Sequence, residues 1–355
     1  MSNPVKSRLT ELDALRGIAI LMVVVFHFSM PMLTARPTLL TRFGIMGVDL
    51  FFMISGFVIF RSLKHVKSGK EFLVSRVARL YPTYWWCVSI TVVLFYYRYY
   101  YSQNYPMDNM FWIRYLGNMT MFQFYLNIEL LDGPYWSLII EVVFYITMLV
   151  IYKLGRKAQT ESILLSVVVF WGVVELLSAY FPNSHQLKFI SGLDKYYPLF
   201  DFLPLFLIGV VFYNIWSDRL SFYRGAIIAV CFFAQILSYH RQGALSIFNV
   251  TRFDFAMLIL VFIGLFIMII TGLLKKMNLS PLLFFGKISY ALYLMHQFFC
   301  LYFLMPLLEN KVHIPHSMSI VLSFGIAVLL AWFNTKFIDE PSRKAIKKMF
   351  YPKTN

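Results

Sequence analysis

Arg16 and His27 lie eleven positions apart on one strongly apolar segment, LDALRGIAILMVVVFHF. Eleven steps of about 100° bring both side chains to the same face of an α-helix, separated by about 16 Å along its axis. Ionisable groups inside a membrane helix are costly, and they usually face a cavity or a partner. The spacing therefore predicts a functional face on this helix. The alternative is a snorkelling arginine and a packed histidine.

Arg76 and Arg79 follow three residues apart in FLVSRVARLYP, where a short amphipathic helix at the inner membrane surface is predicted. Two adjacent guanidinium groups form a good fork for phosphates, although contact with lipid headgroups would use the same residues. Because Arg16 is expected at the same end, a phosphorylated donor with a long arm could dock there. Coenzyme A has that shape, and its reactive end would point toward His27.

Four more residues inside predicted spans could support chemistry: Asp49, Ser55, Glu141 and His296. Asp49 and Glu141 are expected in the outer half of the membrane, where a carboxylate could orient a sugar hydroxyl or an imidazole. The alternative for both is a protonated group in an interhelical hydrogen bond. His296 is expected near mid-bilayer, as a functional group or as packing. Beside Gly56, Ser55 is interpreted as a close-packing residue rather than a nucleophile.

The composition determines the class of protein that positions these residues. Of 355 residues, 59% are hydrophobic and 14% are charged, which is too little charge to cover a water-facing surface. We therefore predict an all-α polytopic membrane protein, a bundle of about ten transmembrane helices. The predicted spans lie near residues 12–30, 44–60, 80–100, 135–152, 161–180, 197–216, 225–240, 254–274, 282–305 and 317–337.

The net charge of +15 follows the membrane topology and does not indicate nucleic-acid binding. With the N-terminus inside, most of the 32 lysines and arginines fall at the cytoplasmic ends of the spans. The positive-inside rule therefore predicts that both termini of this multi-pass protein are cytoplasmic. The three cysteines all fall inside spans and have no metal-ligand spacing, so no metal cofactor is expected.

Six segments occur in the order and at the spacings seen in the acyltransferase-3 family of integral membrane O-acyltransferases, which this chain resembles from Leu12 to about Pro341. The segments are LDALRGIAILMVVVFHF, GVDLFFMISGF, FLVSRVARLYPTYW, NMTMFQ, GPYWSLIIEVVFY and GKISYALYLMHQ. Within the family, the chain is similar to bacterial enzymes that O-acetylate lipopolysaccharide O-antigen and related envelope glycans. The resemblance implies a ten-helix bundle that takes an acyl group from cytoplasmic acyl-CoA and gives it to a hydroxyl on the far side.

The family motifs map onto residues already singled out. The motif of Arg, ten residues and His falls on Arg16 and His27, and the Arg-x-x-Arg motif falls on Arg76 and Arg79. The family's glycine and serine segment maps onto Gly47, Phe51, Ser55, Gly56 and Phe57.

One departure lies near the C-terminus, in Ile338-Asp339-Glu340-Pro341, where Glu340 occupies a position that is often basic in the family. A role for Asp339 or Glu340 is therefore in doubt, and the helix is predicted to end before Pro341. The resemblance implies one acyltransferase-3 type membrane domain over residues 1–355, with a core of about 10–341. The extracytoplasmic hydrolase-like domain of many relatives is not expected here.

The resemblance thus implies an acetyl-CoA dependent O-acetyltransferase in a lipid membrane, the bacterial inner membrane. Arg16, Arg76 and Arg79, with Ser55 nearby, would hold acyl-CoA, while His27 acts as general base or as transient acyl carrier. Glu141, Asp49 and His296 would complete the catalytic group, and the acceptor would be a glycan or lipid-linked sugar. The alternative is a secondary transporter whose histidine and carboxylates relay protons. The basic fork and the lack of a clear two-halves repeat favour the enzyme.

Overall fold

The computed structural model describes residues 9–33, 39–102, 111–241, 245, 247–276 and 279–351. Helices dominate these ranges, and no strand occurs in them. The longer helices are α1 (Thr10–Leu33), α2 (Gly47–His65), α3 (Gly69–Ser102), α4 (Phe111–Met119), α5 (Trp136–Lys153), α6 (Thr160–Tyr180), α7 (Leu203–Ser217), α8 (Phe222–Leu237), α9 (Arg252–Ile270), α10 (Ser280–Met295), α11 (His316–Asn334) and α12 (Glu340–Phe350). Short helical turns at Leu39–Arg42, Phe43–Met46, Gly133–Tyr135 and His185–Ser191 connect them.

The helices confirm an all-α protein that crosses the membrane many times. In the described part, eight helical segments are long and apolar enough to span a bilayer. Each of the ten predicted spans coincides with a helix. Two of these helices are not among the eight long apolar segments: α7 has only 15 residues, and the tyrosines and tryptophans of α3 lower its hydropathy.

The first helix packs directly against α10, and this contact positions the site. A Cβ atom on Gly17 would overlap the Leu282 backbone carbonyl, and one on Gly286 would overlap that of Asp13. Small residues at such crossings let two membrane helices approach backbone to backbone. The close approach brings the face of α1 that carries Arg16 and His27 against α10.

The basic segment before the third span differs from its prediction. We expected a short amphipathic helix separate from the span, but α3 runs unbroken for 34 residues and contains Pro82. Arg76 and Arg79 therefore belong to the same rigid helix as the apolar span that follows. Their distance from the bundle is fixed by that helix rather than by a loop.

The prediction that a helix ends before Pro341 is wrong. The chain stays helical from α11 through a π-helical stretch, Thr335–Asp339, into α12. Proline has no N–H and clashes with the carbonyl four residues earlier in a regular helix. The wider π turn changes that hydrogen-bond register, and Pro341 falls in the first turn of α12, where proline is tolerated.

Candidate active site

Five of the residues predicted from the sequence line one cavity of about 90 Å³ inside the bundle. They are Arg16, Ser55, Arg76, Arg79 and Glu141, which come from α1, α2, α3 and α5. Tyrosines from α5 and α10 complete the polar part of its wall. The fold therefore brings together side chains that lie up to 125 positions apart in the sequence.

Glu141 is held in a fixed orientation on the cavity wall. The Ser55 hydroxyl donates a hydrogen bond to Glu141 Oε1 over 3.0 Å, and the Tyr145 hydroxyl donates to the same oxygen over 2.7 Å. The Ser55 hydroxyl is thus engaged with Glu141. The cavity therefore contains one oriented carboxylate opposite a set of guanidinium groups.

Each of the three arginines is anchored while some of its N–H donors stay available. Arg16 Nη1 lies 3.3 Å from Asp13 Oδ1, and Arg76 Nη2 donates to the Ser62 hydroxyl over 3.3 Å. Arg79 Nη1 lies 3.2 Å from Asp339 Oδ2. A guanidinium carries five N–H donors, so these contacts leave donors for a ligand. Three adjacent guanidiniums suit an anionic ligand with several phosphate oxygens.

Asp339 is a residue that the sequence left without a role. Its side chain is only 4% exposed, and its Oδ2 accepts from Arg79 and from Arg343, which lies 3.4 Å away. The available signal was an acidic residue two positions before Pro341, in a place where the family often has one. The pairing itself, across 260 positions, could not be predicted without the fold.

His27 and His296 meet directly. His296 Nε2 lies 3.2 Å from His27 Nδ1, and the ring centroids are 4.7 Å apart. His27 Nδ1 is also 2.9 Å from the Val23 carbonyl, and His296 Nδ1 is 2.7 Å from the Tyr293 carbonyl.

The two carbonyls determine the tautomers of this pair, because a carbonyl oxygen only accepts hydrogen bonds. Both Nδ1 atoms therefore carry the proton, and the neutral His296 ring accepts at Nε2 from His27 Nδ1–H. That arrangement leaves the lone pair of His27 at Nε2. Neither histidine is among the described residues that line the cavity, but Tyr293 lines its wall, and the Tyr293 ring centroid is 5.7 Å from that of His296.

The structure does not bring Asp49 to this cavity. Asp49 is buried in the first turn of α2, but it is not among the described residues that line the cavity. The side chain of Ser55, two turns further along the same helix, does reach it. Of the two carboxylates predicted together, only Glu141 faces the arginines.

Asp132 is a buried carboxylate that the sequence analysis did not single out. Its Oδ2 accepts the backbone N–H of Phe298 over 3.2 Å, within the π-helical stretch His296–Leu304 that continues α10. Burial raises the pKa of Asp132 to about 8. The contact fixes the backbone two residues after His296, so Asp132 helps to position the histidine pair.

Across the described ranges, no group of three or more histidine, cysteine or acidic side chains could hold a metal ion. The ionisable groups that we consider for chemistry are the arginines, Glu141 with its two hydroxyl donors, and the histidine pair. Together they can bind an anion at one end and accept a proton at the other.

Comparison with known proteins gives a match over most of the chain. A family model described as an acyltransferase domain, of the acyltransferase-3 type, matches residues 9–334. Peptidoglycan O-acetyltransferase OatA of Listeria monocytogenes is 25% identical, over 94% of this chain and 56% of its own length. O-acetyltransferase OatA of Staphylococcus aureus is 24% identical, over 96% of this chain and 58% of its own length.

A putative membrane-bound transacylase, BcsY of Komagataeibacter xylinus, is 24% identical over 82% of this chain and 72% of its own length. The chain spans little more than half the length of the two OatA proteins. No solved structure matches the chain. The region matched by the family model includes every residue predicted for the site and ends before Asp339 and α12.

Proposed function

Because this chain belongs to the acyltransferase-3 family of integral membrane proteins, we propose that it transfers an acyl group, acetyl by default, from acyl-CoA to a hydroxyl of an envelope glycan. The observation that carries this proposal is the cavity that holds Arg16, Arg76 and Arg79 together with Glu141, while the histidine pair lies behind Tyr293 on its wall. A secondary transporter would also need buried ionisable groups, but family membership favours the transferase.

The arginines supply the donor site of the proposed enzyme. Phosphates of acyl-CoA would bind the free N–H groups of the three guanidiniums, at an end of the bundle that we assign to the cytoplasm from the charge distribution. The thin pantetheine arm would then run along α1 toward His27. The eleven positions between Arg16 and His27 correspond to about 16 Å along that helix.

His27 acts as the general base in the proposed reaction. As the acceptor oxygen attacks the thioester carbonyl, its proton passes to His27 Nε2, where the lone pair lies. The new C–O bond forms, the C–S bond breaks, and the proton leaves with the coenzyme A thiolate as the free thiol. His296 accepts from His27 Nδ1–H and keeps the imidazole in the required tautomer.

The acceptor enters from the opposite side in this proposal. The name of the Listeria relative refers to peptidoglycan, which supports an envelope glycan as the acceptor class. Lipopolysaccharide O-antigen and lipid-linked sugars stay predictions within that class. Glu141, which faces the arginines, would orient the reacting groups through its fixed carboxylate.

The test uses membranes that contain the full chain, labelled acetyl-CoA and a cell-envelope acceptor. Wild-type membranes should transfer label to the glycan, and His27→Ala should lower the rate by at least 10² because a general base contributes about 10²–10⁴. His185→Ala is the matched control, since His185 is an exposed histidine at the start of a short surface helix. Near-normal transfer by a folded His27→Ala protein would refute the assignment.

The same assay without acceptor separates the two roles of His27. A general base forms no covalent intermediate, so label should stay on acetyl-CoA. Stoichiometric label on the wild-type protein that is absent from His27→Ala would instead identify His27 as an acyl carrier and overturn the proposed step.

A further inference from the structure

A wide cleft lies between the C-terminal helix α12 and the first turns of α3. Its volume is about 970 Å³, and its lining includes Arg76, Lys344, Lys347, Lys348 and Tyr351. We call this feature the tail cleft. Four of its eleven lining residues lie beyond residue 334, where the matched family region ends, and the other seven lie within that region.

The tail cleft adjoins the candidate active site through a second cavity. It shares Ser75, Arg76 and Lys347 with a second cavity of about 390 Å³. That second cavity shares Arg16, Arg76 and Arg79 with the active-site cavity. Arg76 lines all three spaces, so they lie side by side between the surface of α12 and Glu141.

The tail cleft and the second cavity both carry more positive than negative charge. In the tail cleft, Arg76 and the three lysines of α12 face one carboxylate, Glu71, which already accepts the backbone N–H of Lys67 over 2.7 Å. In the second cavity, six Lys and Arg side chains, Lys287 and Arg343 among them, face three carboxylates, Asp13, Asp339 and Glu340, which leaves an excess of positive charge. Positive charge that lines a concave surface attracts an anion and raises its local concentration.

An aromatic side chain accompanies the charges. Tyr351 lines the tail cleft and is 40% exposed, so part of this aromatic side chain is open to a ligand in the cleft. Phosphate groups bind Lys and Arg, and a base stacks on an aromatic ring. The combination fits a phosphorylated nucleotide better than a phosphate group alone.

The helix that carries the lysines is anchored against the bundle. Asp339, directly before α12, pairs with Arg79 of α3 over 3.2 Å, and Lys70 of α3 lies over the Phe350 ring at 5.7 Å. These contacts hold both ends of α12 in place beside α3. The two sides of the tail cleft are thus held in place, with the lysines of α12 on one side and α3 on the other.

We propose that the tail cleft binds the adenosine bisphosphate end of the acyl donor, through Lys344, Lys347 and Lys348 on α12 and Arg76 on α3. This assignment rests on the proposed function for the identity of the donor. The nucleotide would occupy the tail cleft, the pyrophosphate would reach Arg76, Arg79 and Arg16, and the thioester would lie deeper in the bundle. An anionic lipid headgroup presents the same phosphate chemistry, and the experiment separates the two sources.

The test compares two double variants of the full chain in lipid nanodiscs. Lys347→Gln/Lys348→Gln removes two charges from the tail cleft. Lys153→Gln/Lys157→Gln removes two charges at the C-terminal end of α5 and the turn after it, and neither of those residues lines the cleft. The readouts are KM for acetyl-CoA, KM for acetyl-pantetheine, which lacks the nucleotide, and direct binding of adenosine 3′,5′-bisphosphate.

The tail-cleft variant should raise KM for acetyl-CoA at least about ten-fold, since each lost charge-assisted hydrogen bond is worth about a factor of ten or more. It should leave KM for acetyl-pantetheine unchanged and weaken bisphosphate binding in the same proportion. The control variant should behave as wild type. Equal KM values for acetyl-CoA in the two variants would overturn the assignment.

Two further arms complete the experiment. In nanodiscs of neutral lipid alone, the effect should persist, whereas an effect that requires anionic lipid would assign the cleft to headgroups and overturn the proposal. Bisphosphate binding is measured without turnover, so it stands apart from catalysis. Wild-type protein that binds bisphosphate but transfers no acetyl group would contradict the proposed function and not the cleft.

Discussion

Replacing Asp339 with asparagine should weaken both the docking of α12 and the binding of the acyl donor. Asp339 Oδ2 lies 3.2 Å from Arg79 and 3.4 Å from Arg343, and its side chain is 4% exposed. The substitution keeps the shape of the side chain and removes its charge. Arg79 would then lose the partner that holds it at the cavity.

The size of the effect follows from distance and burial. At an effective dielectric constant of about 20, one charge pair at 3.2 Å has a gross attraction of about 5 kcal/mol, part of which is offset by desolvation of the carboxylate. Breaking a fully buried pair costs about 3–5 kcal/mol. Because Arg79 and Arg343 are about a quarter to a third exposed, they regain water. We therefore expect a loss of about 2–3 kcal/mol in the free energy of unfolding.

Asp218→Asn is the matched control for this prediction. Asp218 Oδ2 lies 3.0 Å from Arg224 Nη1, but its side chain is 64% exposed. An exposed pair of this kind contributes about 0–1 kcal/mol. The two ion pairs have similar distances but different burial, so the two substitutions should lower the free energy of unfolding by clearly different amounts.

The assay is thermal unfolding of the detergent-solubilised protein, together with KM for acetyl-CoA. Asp339→Asn should lower the Tm by roughly 4 °C or more, and Asp218→Asn by no more than roughly 2 °C. KM should rise several-fold in Asp339→Asn and stay at the wild-type value in Asp218→Asn. If both variants shift Tm and KM equally, the reasoning from burial is refuted.

Three more substitutions test the packing, the buried carboxylate and the cavity network. Gly56→Ala should destabilise the protein by about 1–3 kcal/mol, because the added Cβ would overlap a backbone carbonyl of α7. Gly172 in α6 has open space around it, so Gly172→Ala should leave the stability unchanged or raise it by up to about 1 kcal/mol. Unfolding in detergent measures both changes in stability. Burial raises the pKa of Asp132 above its unfolded value, so its contribution to stability is fully present below about pH 4 and is lost as pH rises through about 8. Between about pH 4 and pH 8, the Tm of Asp132→Asn should therefore rise relative to the Tm of the wild-type protein. Parallel curves of Tm against pH for the two proteins would contradict the raised pKa of Asp132. Ser55→Ala removes one of two donors to Glu141 Oε1 and should lower the transfer rate about ten-fold, with recovery in Ser55→Thr; equal rates in both variants would show that the hydroxyl is not needed.

Much of the fold is predictable from the sequence because its signals are local. The length and hydropathy of each apolar segment determine that it becomes a membrane helix, and all ten predicted segments are helical. The helical period alone places Arg16 and His27 on one face. In the structure, both side chains meet residues of α10 or of the π-helical stretch that continues it.

The local signals fail where two features compete. Pro341 predicts a helix end by its own chemistry, but the π turn before it lets the chain continue as α12. The charged segment before the third span predicts a separate surface helix, but it joins the span in α3. In both places, packing against the bundle outweighs the local preference.

By itself, the sequence determined the class of the protein, its helices and the types of residue available for chemistry. Only the tertiary structure decided which of them meet: Glu141 with Ser55, His296 with His27, and Asp339 with Arg79, while Asp49 stays apart. The physical reason is that contacts between helices depend on the close fit of whole surfaces, such as the glycine crossing of α1 and α10. That fit is a property of many residues at once, and no single motif contains it.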